Sequence, residues 1–118
     1  KFIKILNMKK IVIGAFLLIS SVSFAQSRNV KSIGNDQNKT IECNNNIVFI
    51  TGNNNVLNIT GNCKEIKVIG SDNVIKANKV DEIYINGSTN SFTYKSSLTP
   101  DKKVGSEIIG SDNKVAQK

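Results

Sequence analysis

A tetrapeptide recurs along this chain at a nearly fixed step, and no other feature constrains the fold as strongly. The copies are Gly34-Asn35-Asp36-Gln37, Gly52-Asn53-Asn54-Asn55, Gly70-Ser71-Asp72-Asn73, Gly87-Ser88-Thr89-Asn90 and Gly110-Ser111-Asp112-Asn113. Each opens on Gly, continues with Asn or Ser and a small polar residue, and closes on a side-chain amide. The glycine-to-glycine steps are 18, 18, 17 and 23 residues. The long step contains Leu98-Thr99-Pro100-Asp101-Lys102-Lys103, which reads as a loop inserted into one repeat. Self-similarity at one period is the signature of a repeat architecture.

Between the tetrapeptides, apolar and polar residues alternate, as in strands with one buried face. The fifth residue after each repeat glycine is Leu57, Ile75, Phe92 and Val115. The seventh is Ile59, Ala77, Tyr94 and finally Gln117. Two residues before the glycine stand Ile50, Val68, Ile85 and Ile108, and four before stand Val48, Ile66 and Ile83. Intervening positions such as Asn58, Lys67, Lys76, Glu82 and Thr93 are polar. A single repeat cannot bury its own apolar face, but a stack of repeats buries a continuous column. The expected fold is therefore all-β, a short β-solenoid of about four coils with repeats of ~18 residues. Gly52, Gly70, Gly87 and Gly110 turn the chain at positive φ. Gln37, Asn55, Asn73, Asn90 and Asn113 form a stacked amide ladder that satisfies its own donors and acceptors. The competing fold is an antiparallel meander of hairpins, since Gly-Asn pairs also make hairpin turns.

The N-terminus carries a different signal. Lys9 and Lys10 precede an apolar run, Ile11 to Ile19, and small residues Ser23 and Ala25 stand at −3 and −1 of a cleavage point before Gln26. This is the pattern of a cleavable secretory signal over residues 1–25, with Met8 as initiator and 1–7 as an upstream extension. A membrane anchor is the alternative, but the run is about half of the roughly 20 residues that span a bilayer. Residues 26–40 read as a polar N-terminal segment and 41–118 as the repeat domain. The protein is expected to be secreted or periplasmic, without stable membrane insertion after cleavage.

Removing the signal changes the electrostatics. The whole chain is +7, but four of its 16 basic residues precede the cleavage point and all nine acidic ones follow it, leaving +3. The remaining lysines are scattered. Nucleic acid would require a clustered basic stripe with stacking aromatics, so it is not an expected partner. Cys43 and Cys63 lie in the exported part, where an oxidising compartment joins them in a disulfide. Their spacing is one repeat with slack, which places them on adjacent coils.

The chain has no His, and so lacks the commonest general base and metal ligand. Two thiols make only half a zinc shell. The turn acids Asp36, Asp72 and Asp112 are too few for a calcium site, which takes six to eight oxygens. Glu42, Glu65, Asp81, Glu82 and Glu107 read as isolated carboxylates or as neighbours on opposite strand faces, not as a glycosidase pair. No catalytic, metal or cofactor-binding residue is expected. Phe49 and Tyr84, on the outward face, either begin a binding patch or pack on the inserted loop or N-terminal segment.

The paired cysteines with Gly52-Asn53-Asn54-Asn55-Val56, Thr60-Gly61-Asn62-Cys63, Gly70-Ser71-Asp72-Asn73-Val74, Tyr94-Lys95-Ser96 and Gly110-Ser111-Asp112-Asn113-Lys114-Val115 resemble the exported bacterial proteins grouped as domain of unknown function 3060. The resemblance covers roughly Ile41 to Val115. It implies export and a repeat fold, and it carries no activity or site residues. Lys114 departs from it, standing where the family often has Thr. The expectation is an exported, non-catalytic structural or binding module of unknown ligand. The alternative is a carbohydrate-binding or weakly glycan-active envelope protein. Its partners are unknown. It is expected to be a monomer that associates weakly, if at all, through its C-terminal edge.

Overall fold

A computed structural model describes residues 29–118; the signal peptide expected at 1–25 lies outside the described residues. Among them are eight strands: β1 (Val30–Ile33), β2 (Asn38–Glu42), β3 (Ile47–Thr51), β4 (Val56–Ile69), β5 (Val74–Asn86), β6 (Ser91–Tyr94), β7 (Gly105–Ile109) and β8 (Lys114–Gln117). Every pairing between them is parallel. The chain is a β-solenoid of about four turns, and parallel rungs exclude the antiparallel meander.

Each coil has two strand segments joined by a corner. One row of rungs runs through β2, the first half of β4, the first half of β5, β6 and β8. The other runs through β1, β3, the second halves of β4 and β5, and β7. We call these the first and second sheets. Parallel strands with no helices between them are possible here because each coil itself supplies the crossover.

The register stacks the alternating apolar residues. Ile41, Leu57, Ile59, Ile75, Ala77 and Phe92 are buried from the first sheet. Val48, Ile50, Ile66, Val68, Ile83 and Ile85 are buried from the second. Ile108, in the same column as Ile85, is 42% exposed, because no rung among the described residues covers it. Val115 is only partly buried for the same reason.

The ladder begins at Val30, within the segment that the sequence placed ahead of the repeat domain. Val30 pairs with Val48 and Asn38 with Val56, so residues 30–42 form the first coil. Its core positions carry Ser32 opposite Ile50 and Lys39 opposite Leu57, which hides it from an apolar count.

The corners absorb the irregular spacing. The register between β4 and β5 shifts between Ile59 and Asn62, so the 17-residue step loses its residue at the corner while both sheets stay aligned. The 23-residue step bulges at the next corner, between β6 and β7, where Leu98 N donates to Asp81 Oδ1 at 3.0 Å.

Cys43 and Cys63 stand at the corners of adjacent coils and are joined by a disulfide, with Cα atoms 5.6 Å apart. Both are fully buried, and Val80 continues their column in the next coil. A bond closing a loop of this length adds about 3 kcal/mol in the chain-entropy model. Exported protein should show no free thiol after denaturation, and replacing both cysteines by Ala should lower the unfolding free energy by about that amount in urea titrations.

The packing phase has a direct test. Ile75→Asp places a carboxylate in the sealed column and should unfold the domain, since an unpaired buried charge costs several kcal/mol against a stability of roughly 5–15. Lys76→Asp, one residue on and exposed, should melt within about 0.5 kcal/mol of the parent. Equal melts for the two would place the wrong face inside.

Candidate functional site

The repeated turns are the most specific chemistry in the molecule, and their geometry shows what they do. In the turns, Gly34, Gly52, Gly70, Gly87 and Gly110 have φ between 115° and 152°. The coils also approach too closely there for a side chain. A Cβ on Gly52 would lie 1.8 Å from Gly34 O, and one on Gly70 would lie 1.8 Å from Gly52 O. The third turn residue is left-handed in every repeat, with φ of 56° to 59° at Asp36, Asn54, Asp72, Thr89 and Asp112. Asn and Asp tolerate this region; Thr89, being β-branched, adopts it only under the constraint of the stack.

The fourth residue forms the ladder. Asn73 Nδ2 donates to Gly52 O and to Asn90 Oδ1, both at 3.0 Å. Asn73 Oδ1 accepts from Asn55 N at 3.1 Å and Asn55 Nδ2 at 3.0 Å. Asn55 and Asn90 repeat the pattern one coil before and after. Asn55, Asn73 and Asn90 are buried, and each amide uses both hydrogens and its oxygen. A second column outside it links Asn35 Oδ1 to Asn53 N at 2.8 Å and Asn53 Oδ1 to Ser71 N at 2.9 Å. The turn amides and turn glycines are thus committed to the stack.

Ligand chemistry must therefore reside on the outer faces, which the sequence left largely unread. Across the first sheet runs an open groove of ≈ 700 Å³, within the size range of small-molecule sites. Asn58, Thr60, Asn78 and Thr93 line it with amides and hydroxyls, and Lys76 and Lys95 add positive charge. No carboxylate lines it.

The second sheet is different. Phe49, Lys67 and Tyr84 occupy one outward column on three successive rungs. The Lys67 ammonium lies 5.5 Å from the Phe49 ring centre and 5.9 Å from that of Tyr84, and 3.5 Å from Glu65 Oε1. The two rings flank this lysine, an arrangement invisible until the register aligns residues 49, 67 and 84. The same register places Glu65 beside Glu82 on neighbouring rungs, although the sequence read them as isolated. A shallow hollow of ≈ 220 Å³ adjoins Glu82, Tyr84 and Glu107, over the position where Gly105 lacks a side chain. These carboxylates project from one flat sheet rather than facing each other across a cleft.

Among the described residues, no three His, Cys, Asp or Glu side chains gather to hold a metal ion. No helix among them is long and apolar enough to cross a membrane.

The ladder has a mutational signature. Asn73→Ala strands the backbone N–H and one side-chain hydrogen of Asn55 and the carbonyl of Gly52, at about 1–3 kcal/mol for each buried group, while Asn90 Oδ1 keeps the backbone N–H of residue 73. The domain should lose most of its stability, while Asn58→Ala on the exposed face should cost under about 0.5 kcal/mol. Asn73→Asp keeps the shape but replaces a donor by an acceptor facing two oxygens. That raises the carboxyl pKa in the folded state, so the variant is most stable below the ordinary value of ~3.9 and loses stability as pH rises above it. Urea titrations should find Asn73→Asp closer to the parent at acid pH than at neutral pH, and a reversed order would mean that these bonds do not hold the stack.

Neither a curated protein nor a solved structure matches the chain. A family model described as protein of unknown function (DUF3060) matches residues 50–107, which contain three of the five turns described above, all of β4, β5 and β6, and the inserted loop. Over residues 50–107 the chain carries a region that matches the DUF3060 family.

Proposed function

We propose that this protein is an exported, non-catalytic module that binds its ligand on the outside of a rigid solenoid. The observation that carries this reading is the first-sheet groove, whose amides, hydroxyls and lysines lie on a stack whose buried turn amides already bond one another. Rungs recur every ~4.8 Å, so Asn58, Lys76 and Thr93 form a periodic row of polar groups. Such a row suits an extended, hydroxyl-rich polymer. Neutral hydrogen bonding with dispersed positive charge favours a glycan over a nucleic acid, which would need a denser cationic stripe. The buried disulfide supports an oxidising compartment, secreted or periplasmic.

Weak glycan cleavage is the second reading. Its support is the Glu65–Glu82 pair beside Tyr84 on the other sheet. The two readings use opposite faces and separate cleanly. Calorimetric titration of the exported protein with soluble cell-wall glycan fragments should give binding that Lys76→Ala and Thr93→Ala each weaken several-fold without changing the melt. Glu82→Gln should leave that binding intact. Steady release of reducing ends, abolished by Glu82→Gln, would replace the binding reading with the catalytic one.

A further inference from the structure

The charges of the repeat domain are sorted between its faces. On the first sheet, Thr40, Asn58, Lys76 and Thr93 form one outward column. Thr60, Asn78 and Lys95 line the same groove beside it. Lys95 N donates to Asn78 O at 2.9 Å, which sets Lys95 one rung beyond Lys76 and two residues along. Glu42 pairs with Thr60 at the margin and does not line the groove. The acids gather elsewhere. Glu65, Glu82 and Glu107 stand on successive rungs of the second sheet, and Asp36, Asp72 and Asp112 stand at the left-handed turn positions.

The lysines of the two sheets differ in what they meet. Lys67, on the acidic face, pairs with Glu65 at 3.5 Å. Lys76 and Lys95 are exposed and form no ion pair among the described residues. They belong to a groove without a carboxylate, beside the amides and hydroxyls of Asn58, Thr60, Asn78 and Thr93. One rung and two residues separate their Cα atoms by about 8 Å. That is close to one screening length at physiological salt, so the two ammonium groups act on the same bound ligand. Left without a counter-charge they repel each other, and an anion between them turns that repulsion into attraction.

We propose that the groove takes an acidic glycan, whose hydroxyls meet the amides and hydroxyls and whose carboxylates, spaced along the polymer, meet Lys76 and Lys95. This names the ligand class of the glycan reading and rests on it. A neutral glycan would draw nothing from the two ammonium charges. A nucleic acid carries a charge at every nucleotide and stacks its bases on aromatic rings, whereas Tyr94 is the one aromatic side chain lining the groove and is itself partly buried in the core. An anionic membrane presents a broad flat layer, which suits a flat cationic face better than a groove. The opposite sheet adds to the discrimination. Glu65, Glu82 and Glu107 repel a polyanion there, so the field of the molecule steers it to the first sheet.

Calorimetric titration of the exported protein should compare a uronic-acid oligosaccharide with the same oligosaccharide after its carboxylates are reduced to alcohols. The acidic form should bind about tenfold more tightly at low salt, and that advantage should shrink between about 50 and 200 mM salt. Lys76→Glu and Lys95→Glu should each remove most of the advantage, while Lys76→Arg and Lys95→Arg should retain it. All four should melt like the parent, because both side chains are exposed. Lys31→Glu, an exposed position on the second sheet, makes the same change in net charge and should leave the affinity within about twofold. Equal binding of the two forms would overturn the acidic ligand and leave the glycan reading standing. Binding of neither would overturn both. Tighter binding of single-stranded DNA, or of vesicles of anionic phospholipid, than of the uronic-acid oligosaccharide would also overturn the proposal.

Discussion

One buried column of amides fixes how the coils sit on one another. Apolar side chains reward burial without specifying alignment, so a stack held by Ile and Val alone could slide along the strands. The ladder removes that freedom. Asn55, Asn73 and Asn90 each reach back to a glycine carbonyl and forward to the next amide, which fixes the turn in all three directions. The glycines complete the device, because the carbonyl of one coil occupies the space where a Cβ of the next would stand. A buried amide network is tolerated only when every group is paired, and here the repeat period itself supplies each partner.

With the turns aligned, the opposite corners can vary. The first two are joined by the Cys43–Cys63 bond, the register shift near Gly61 falls between the second and the third, and the fourth carries the inserted loop anchored on Asp81. The sheets on either side keep their pairing through all three. The division places rigidity at the turn edge and sequence freedom at the corner edge, which is how a short solenoid accommodates a 17-residue and a 23-residue step in succession.

The outer faces inherit their order from the same column. Asn58, Lys76 and Thr93 become a row, as do Phe49, Lys67 and Tyr84, because equivalent positions in successive coils are forced above one another. A ligand surface on such a molecule needs no loops to build it. Its chemistry is set by whichever residues occupy the outward positions, and the two sheets of this chain have diverged into a groove without carboxylates and a mixed aromatic and acidic face.

The period, the turn chemistry, the inward columns and the disulfide were legible in the sequence because each repeat states them again: Leu57, Ile75 and Phe92 share one role, as do Asn55, Asn73 and Asn90. The first coil was not legible, since Ser32 and Lys39 stand where later coils are apolar and only backbone pairing to β3 and β4 brings residues 30–42 into the stack. Nor was the position of the Gln37 side chain, whose additional methylene folds its amide over Gly34 to reach Ile33 O. The juxtaposition of Glu65 with Glu82, and of Lys67 with two rings, required the register across the corner shift. Local alternation and turn residues are properties of neighbours along the chain, and by themselves they determined a solenoid. Which outward side chains meet is a property of residues a full coil apart, and only the stacked backbone could decide it.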